Sequence, residues 1–220
     1  MFDAIAKNYD LLNRVLSLRQ DQRWRKHLIS RIPFRNYGRF LDVATGTGDV
    51  LLQAATKRNE YSQYVGVDIS ESMLDVARKK LAYYADKVVF KNMSACDLQF
   101  DDNAFHCLTI SFGLRNVKDK PLAIKEFYRC LKPGGTLLVL EFFRSPKSFQ
   151  QKCFDFYFQK ILPRIGGLVS DRAAYEYLPK SVGEFYTIEE LNKVALEIGF
   201  TPIHSKSFLF GTCGLVELKK

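Results

Sequence analysis

Asp42, Gly46, Thr47, Gly48 and Asp68 have the types and spacing that point most directly to ligand chemistry in this chain. The apolar stretch 40–44 suits a buried parallel strand, Thr45-Gly46-Thr47-Gly48-Asp49 breaks it, and Val50, Leu51, Leu52, Ala54 and Ala55 resume at helical spacing. Glycine at 46 and 48 lets the backbone turn sharply out of the strand and approach a ligand, because no Cβ stands in the way. The free N–H groups of the next helix then face the bound molecule. A second apolar strand, 64–67, ends in Asp68, about 20 residues after the glycines, where a doubly wound fold puts a carboxylate that accepts from both hydroxyls of a ribose. The outline is that of a nucleoside pocket.

The glycine spacing narrows the nucleoside. A dinucleotide fingerprint needs Gly-x-Gly-x-x-Gly so that a helix start receives a pyrophosphate. Here Gly48 is followed by Asp49-Val50-Leu51, with no third glycine and an acid that would repel a diphosphate, which disfavours NAD. The order of acid, apolar pair, small residues, Gly-Thr-Gly and a distant acid resembles the first motif of methyltransferases that use S-adenosylmethionine. That cofactor has no phosphate, and its cationic sulfonium tolerates Asp42 and Asp49 nearby. An ordinary strand-to-helix turn would leave Asp68 unexplained.

These residues must be positioned by a chain of 220 residues, enough for one domain with additions or a small domain pair, and for a full core. With 47% apolar residues and no run of about 18 apolar residues, a globular cytoplasmic protein is expected. The start, Met1-Phe2-Asp3-Ala4, lacks the charged-then-apolar layout of a signal peptide. Cys96, Cys107, Cys130, Cys153 and Cys213 are scattered, and with His27, His106 and His204 they form no metal-ligand spacing. Reduced, mostly buried thiols and no metal are expected. The net charge of +9 is compatible with nucleic acid, an anionic membrane surface or simple solubility, and charge alone does not decide between bilayer and RNA.

Taken in order, residues 2–16 carry an amphipathic helical pattern that includes Tyr9, and a second helix covers 22–31, ended by Pro33. Such leading helices commonly lie over a pocket mouth, although Tyr9 and Trp24 serve equally well as packing. Ser70 caps a helix with the stripe Met73, Leu74, Ala77, Leu81 and Tyr84, and 88–90 is a third strand. Ser94, the backbone of Ala95 and Asp97 follow at its carboxyl end, where the base of a nucleoside would lie. A fourth strand, 105–111, runs into Ser111-Phe112-Gly113-Leu114-Arg115-Asn116-Val117, where Gly113 permits close approach and Arg115 and Asn116 offer directed donors. Asp119 caps the next helix, with Pro121 behind it; Lys132-Pro133-Gly134-Gly135 reads as a turn, and 136–142 as a fifth strand. Thr187-Ile188-Glu189-Glu190 reads as a capping box, and strands near 202–210 and 213–218 close a seven-stranded sheet.

Three segments together are more specific: 42–49, Ile-Ser-Phe-Gly-Leu-Arg-Asn-Val at 110–117, and Leu-Lys-Pro-Gly-Gly-Thr-Leu-Leu-Val-Leu-Glu-Phe at 131–142. With Phe2-Asp3, Tyr9-Asp10, Leu162-Pro163-Arg164-Ile165-Gly166 and Tyr175, Tyr177, Leu178 and Ser181, they resemble the ubiquinone and menaquinone biosynthesis C-methyltransferase family over nearly the whole chain. The resemblance implies an α/β, Rossmann-like class I S-adenosylmethionine-dependent methyltransferase, with a seven-stranded, mostly parallel sheet and helices on both faces. It implies methyl transfer to a ring carbon of a prenylated quinol, demethylmenaquinol giving menaquinol, with the benzoquinol of the ubiquinone pathway as the alternative. It places Asp42, Gly46, Thr47, Gly48, Asp68, Ser94, Ala95 and Ser111 at the cofactor, and Arg115, Asn116 and Tyr9 at the chemistry. Arg115 and Asn116 are expected to stabilise a phenolate, and Tyr9, or a water it holds, to take the proton. The chain departs from the pattern at Ala44 and Thr45, at His106 and at Gly214-Leu215-Val216-Glu217.

The organisation expected is a helical lid at 1–36, a cofactor-binding core at 37–147, an aromatic helical insertion at 148–185 and a closing helix and strands at 186–220. Phe154, Phe156, Tyr157, Phe158, Ile161, Leu162 and Leu168 in the insertion suit a flap over a hydrophobic substrate or a bilayer contact, and equally a buried hairpin. The expected partners are the quinol and a membrane surface touched peripherally. Nucleic acid is not expected, since Leu114-Arg115-Asn116-Val117 stands where amino-methylating enzymes carry Asn/Asp-Pro-Pro-aromatic. An RNA or other small-molecule methyltransferase and a regulator that binds the cofactor without catalysis are further alternatives, and a homodimer is compatible with the sequence.

Overall fold

The computed structural model describes residues 14, 17, 19–57, 60–144 and 180–220. The expected helix at 2–16 with Tyr9, Cys153, and the aromatic insertion up to residue 179 lie outside the described residues.

Seven strands form one sheet: β1 (Gly38–Val43), β2 (Tyr61–Asp68), β3 (Val88–Asn92), β4 (Phe105–Ser111), β5 (Leu131–Phe142), β6 (Thr201–Phe208) and β7 (Cys213–Lys219). Their order is β3-β2-β1-β4-β5-β7-β6. The first five run parallel, and β7 is antiparallel to both of its neighbours. The order reverses between β1 and β4, so the crevice outside their carboxyl ends is the natural place for a ligand.

Alternation along the strands supplies two cores. Leu41, Val43, Leu108 and Ile110 face helices α4 (Lys120–Cys130) and α5 (Ile188–Ile198) through Ile124, Phe127, Leu191 and Ala195. Phe40, Tyr64, Leu138 and Leu140 face α1 (Gln20–Arg31) and α2 (Asp49–Lys57) through Trp24, Leu28, Leu51 and Ala54. Helix α1 is therefore a layer of the core, and Trp24 packs on Phe112, Phe142 and Phe208. It starts two residues before the expected Gln22.

Helix starts follow local chemistry. Ser70 Oγ accepts from Met73 N–H ahead of α3 (Glu71–Lys80), and Asp119 accepts from Leu122 N–H ahead of α4. Before α5 both halves of the capping box close, Glu190 N–H to Thr187 Oγ1 at 3.1 Å and Thr187 N–H to Glu190 Oε2 at 2.8 Å. One expectation is corrected: Lys132-Pro133-Gly134-Gly135 does not precede the fifth strand but interrupts it. The pairing jumps from Phe105↔Leu131 to Cys107↔Thr136, and the looped-out Gly134, at φ +73°, donates its N–H to the Lys220 carbonyl at 2.8 Å. The strand expected at 202–210 ends at Phe208, and Leu209–Gly211 forms a 3-10 turn.

Cys107, Cys130 and Cys213 are buried free thiols and Cys96 is half-buried; burial pushes Cys130 up to about 11. Among the described residues no group of side chains is placed to hold a metal ion, and no helix is long and apolar enough to cross a membrane.

Candidate cofactor and substrate cavity

A cavity of about 320 Å³ opens at the carboxyl ends of β1, β2 and β4, of a size suited to a small ligand. Its floor is the loop after β1, where Ala44, Gly46 and Gly48 hold positive φ of 51°, 55° and 80°. Thr45 N–H donates to the Val67 carbonyl at 3.0 Å and Gly48 N–H to the Thr45 carbonyl at 2.9 Å, so the loop folds back on itself. A Cβ at Gly46 would meet nothing within 4 Å, which leaves that face to the cavity. Gly48 serves packing instead, since a Cβ there would stand 2.8 Å from Leu81 Cδ1 and 3.2 Å from Ala77 Cβ.

Asp68, at the end of β2, accepts from Gly46 N–H through Oδ2 at 2.8 Å and from Ser70 N–H through Oδ1 at 2.9 Å. The carboxylate is thus aimed from two sides into the cavity it lines. Asp42 has a different task from the ligand contact expected of it. It is 1% exposed and absent from the lining, with Oδ2 accepting from Thr45 Oγ1 at 2.7 Å and Oδ1 from Thr109 Oγ1 at 2.5 Å. Burial pushes its carboxyl up to about 6, against the two hydroxyl hydrogen bonds that favour the charged form. Asp42 stitches the loop to β4.

Thr47 and Gly48 also stand behind the lining. Thr47 Oγ1 accepts from Lys80 Nζ at 3.1 Å, and the same ammonium pairs with Asp49 Oδ1 at 2.7 Å. Asp49 Oδ2 takes Arg25 Nη1 at 3.1 Å, so its charge is spent on α1 and α3 rather than offered to a sulfonium.

Ser94 and Ala95 line the wall beyond β3, as expected for a base, whereas Asp97 is exposed and only closes the loop through its N–H to the Ser94 carbonyl at 3.1 Å. Ser111 lines the wall beyond β4, and its buried hydroxyl has no hydrogen-bond partner among the described residues. The turn Leu114–Asn116 follows Gly113, where a Cβ would stand 2.5 Å from Ala44 Cβ; only glycine lets the loops after β1 and β4 touch. Asn116 lines the cavity, with Nδ2 at 3.5 Å from the Phe112 carbonyl.

Arg115 does not line it. Its side chain is 10% exposed, and Nη1 donates to Glu141 Oε1 at 2.5 Å and to the Phe112 carbonyl at 2.9 Å. The direct phenolate contact expected of Arg115 is corrected accordingly, because the guanidinium is held beneath the turn by a carboxylate. Tyr9 lies outside the described residues.

Sequence reasoning missed the apolar wall of Ile69, Met73 and Met93, the rim lysine Lys118, and Glu141 under the turn. Ile69, an apolar residue directly after Asp68, and Glu141, an acid after an apolar run, were the available signals.

The residues present fit S-adenosylmethionine. An acceptor carboxylate suits the ribose, an apolar wall suits the flat base, the open face at Gly46 admits close approach, and the unpartnered Ser111 hydroxyl wants a polar ligand atom. No phosphate is needed to complete the set.

Known proteins resemble this chain in sequence and in fold. The chain is 42% identical over 202 residues to the ubiquinone/menaquinone biosynthesis C-methyltransferase of Geotalea daltonii, covering 91% of this chain and 86% of the relative. It is 41% identical over 216 residues to the demethylmenaquinone methyltransferase of Thermus thermophilus, covering 98% and 97%. Among solved structures the fold resembles the methyltransferase in complex with the Trm112 activator of Haloferax volcanii, with a TM-score of 0.74 at 18% identity over 100% of this chain and 97% of that one. It also resembles the phosphoethanolamine N-methyltransferase 2 of Haemonchus contortus in complex with S-adenosyl-L-methionine, with a TM-score of 0.64 at 23% identity over 84% of this chain and 38% of that one. The sequence pattern of the ubiE/COQ5 methyltransferase family matches residues 1–218, and the chain belongs to that family of S-adenosylmethionine-dependent C-methyltransferases.

Proposed function

We propose that this protein methylates a ring carbon of a prenylated quinol, converting demethylmenaquinol to menaquinol. The end-to-end match to the Thermus thermophilus demethylmenaquinone methyltransferase carries the choice of a naphthoquinol. The Geotalea daltonii relative, whose name joins both pathways, supports a benzoquinol as the second reading.

When bound, S-adenosylmethionine supplies a methyl group on a sulfonium leaving group. Asp68 would hold the ribose and the backbone at Gly46 the methionine portion, Ser94 and Ala95 would flank the base, and Ser111 would stand near the sulfonium end. The ring carbon becomes nucleophilic when a neighbouring hydroxyl gives up its proton. The cofactor would supply the methyl to that carbon as an electrophile and leave as the neutral thioether, and the proton on that carbon would pass to the ring oxygen to restore the aromatic quinol. Asn116, whose amide lies at the cavity wall, orients the ring and donates to the phenolate oxygen. Tyr9, or a water it holds, takes the proton. The low polarity of Met93 and Ile69 strengthens a hydrogen bond to a developing phenolate.

The test supplies labelled cofactor with reduced demethylmenaquinone in vesicles, with 2-methoxy-6-polyprenyl-1,4-benzoquinol in vesicles, or with total RNA. Label is expected in the naphthoquinol. Label confined to the benzoquinol transfers the reading to the second pathway, and label in RNA, or in none of the three, overturns it.

A further inference from the structure

Glu141 has no exposed surface, follows the four buried apolar residues Leu137–Leu140 of β5, and makes no contact with the cavity. Its carboxylate is fully engaged under the substrate turn. Oε1 accepts from Arg115 Nη1 at 2.5 Å and from Phe142 N–H at 2.7 Å, and Oε2 accepts from Arg115 N–H at 3.2 Å. The same Arg115 nitrogen donates to the Phe112 carbonyl, which also lies opposite the Asn116 amide. Phe112 itself is at φ +56°, a backbone conformation that a phenylalanine keeps only where its surroundings impose it.

A buried ion pair costs desolvation of both charges, so it is a poor choice where only packing is required. What this pair does is join the end of β5 to three points of the turn after β4: the Arg115 N–H, the Arg115 side chain and the Phe112 carbonyl. We propose that Glu141 is a positioning residue for methyl transfer, acting through Arg115 to hold residues 112–116 in the conformation that presents Asn116 to the acceptor ring. The proposal rests on the reading of Asn116 as the acceptor-side contact.

Trp24 gives an independent readout. It is the single tryptophan of the chain, and its ring centroid lies 6.2 Å from Phe112 and 5.9 Å from Phe142, the two residues whose backbones the clamp holds. Glu141→Gln is expected to lower kcat at least tenfold, leave the S-adenosylmethionine dissociation constant within threefold, and shift Trp24 emission. Arg115→Met should give the same loss and the same shift. The double variant Arg115→Met/Glu141→Gln should be no worse than either single one, since both act on one device.

If Glu141→Gln does not fold, the double variant decides, because it removes both charges and leaves neither stranded. A folded double variant with wild-type kcat overturns the proposal. So do losses that multiply in the double variant, or a lowered melting temperature with kcat unchanged. If the wild-type protein does not methylate the quinol, the functional reading falls and Trp24 still decides the clamp: unchanged emission in both single variants overturns it.

Discussion

Asp68 carries two loads at once: it fixes the N–H groups of Gly46 and Ser70 and presents an acceptor to the cavity. Asp68→Ala removes the acceptor proposed for the ribose and leaves two backbone donors to find water. Cofactor affinity should fall at least ~100-fold, about 2.7 kcal/mol, by calorimetry. A dissociation constant within fivefold of wild type would place the ribose elsewhere. Asp42 makes a prediction of a different kind, about pH. Its carboxyl is raised from 3.8 to about 6, so the native state holds the proton more tightly than the unfolded chain does. The cost of ionising it in the core is absent below pH 3.8, grows up to pH 6 and is constant above. The stability lost across that window is about 3 kcal/mol. Asp42→Asn has no such cost, so the stability difference between variant and wild type should move in the variant's favour by that order between pH 4 and pH 7. Urea titrations at the two pH values check it, and a flat difference would contradict it. Gly46, Asp68, Ser94, Ala95, Ser111 and Asn116 were legible because each sits at a strand end where the fold directs a ligand. The spacing around Gly46 marked the loop but not which of its atoms face outward, which is why Asp42, Thr47 and Gly48 turned out to be its supports. Arg115 was misplaced for another reason: its partner Glu141 is 26 residues away and reaches it only once β4 and β5 are paired.

The elements that matter most are the loops after β1 and β4, which touch at Ala44 and Gly113. Gly113→Ala would put two Cβ atoms 2.5 Å apart, far inside van der Waals contact, so one loop must give way. A loss of about 1–3 kcal/mol in stability is expected, together with weaker cofactor binding, since the displaced loop carries Gly46. Thermal melts with and without cofactor separate the two effects, and a variant with wild-type melting and affinity would show that the seam yields freely. At this scale the sequence was a good guide. Apolar alternation, the Ser70 and Asp119 caps and the Thr187–Glu190 box each act within a few residues and do not need the rest of the fold. The bulge in β5 was harder, because Lys132-Pro133-Gly134-Gly135 makes the same local bend whether a strand precedes it or resumes after it. The deciding contact comes from Lys220, 86 positions further on. Helix α1 likewise reads in the sequence only as a leading helix ahead of the sheet, and the aromatic cluster with Phe112, Phe142 and Phe208 makes it part of the core.

At the scale of the molecule, 33 basic residues against 24 acidic ones leave a charge of +9, while the proposed acceptor has a prenyl tail that lives in a bilayer. We propose peripheral attachment to an anionic membrane surface. Sedimentation with anionic liposomes should show binding at low salt that weakens several-fold at about 0.5 M salt, because screening shortens the reach of surface charge. Binding equal at both salt concentrations would reject attraction by charge. The order of the sheet has a consequence for biosynthesis. Among the described residues β6 is bonded only to β7, and β7, made after the other strands, fills the slot between β5 and β6. During synthesis the flank of β5 that pairs with β7 therefore stays open while the residues between 142 and 213 are made. A pause late in translation would prolong the interval in which nascent chains of this protein are most prone to stick to one another.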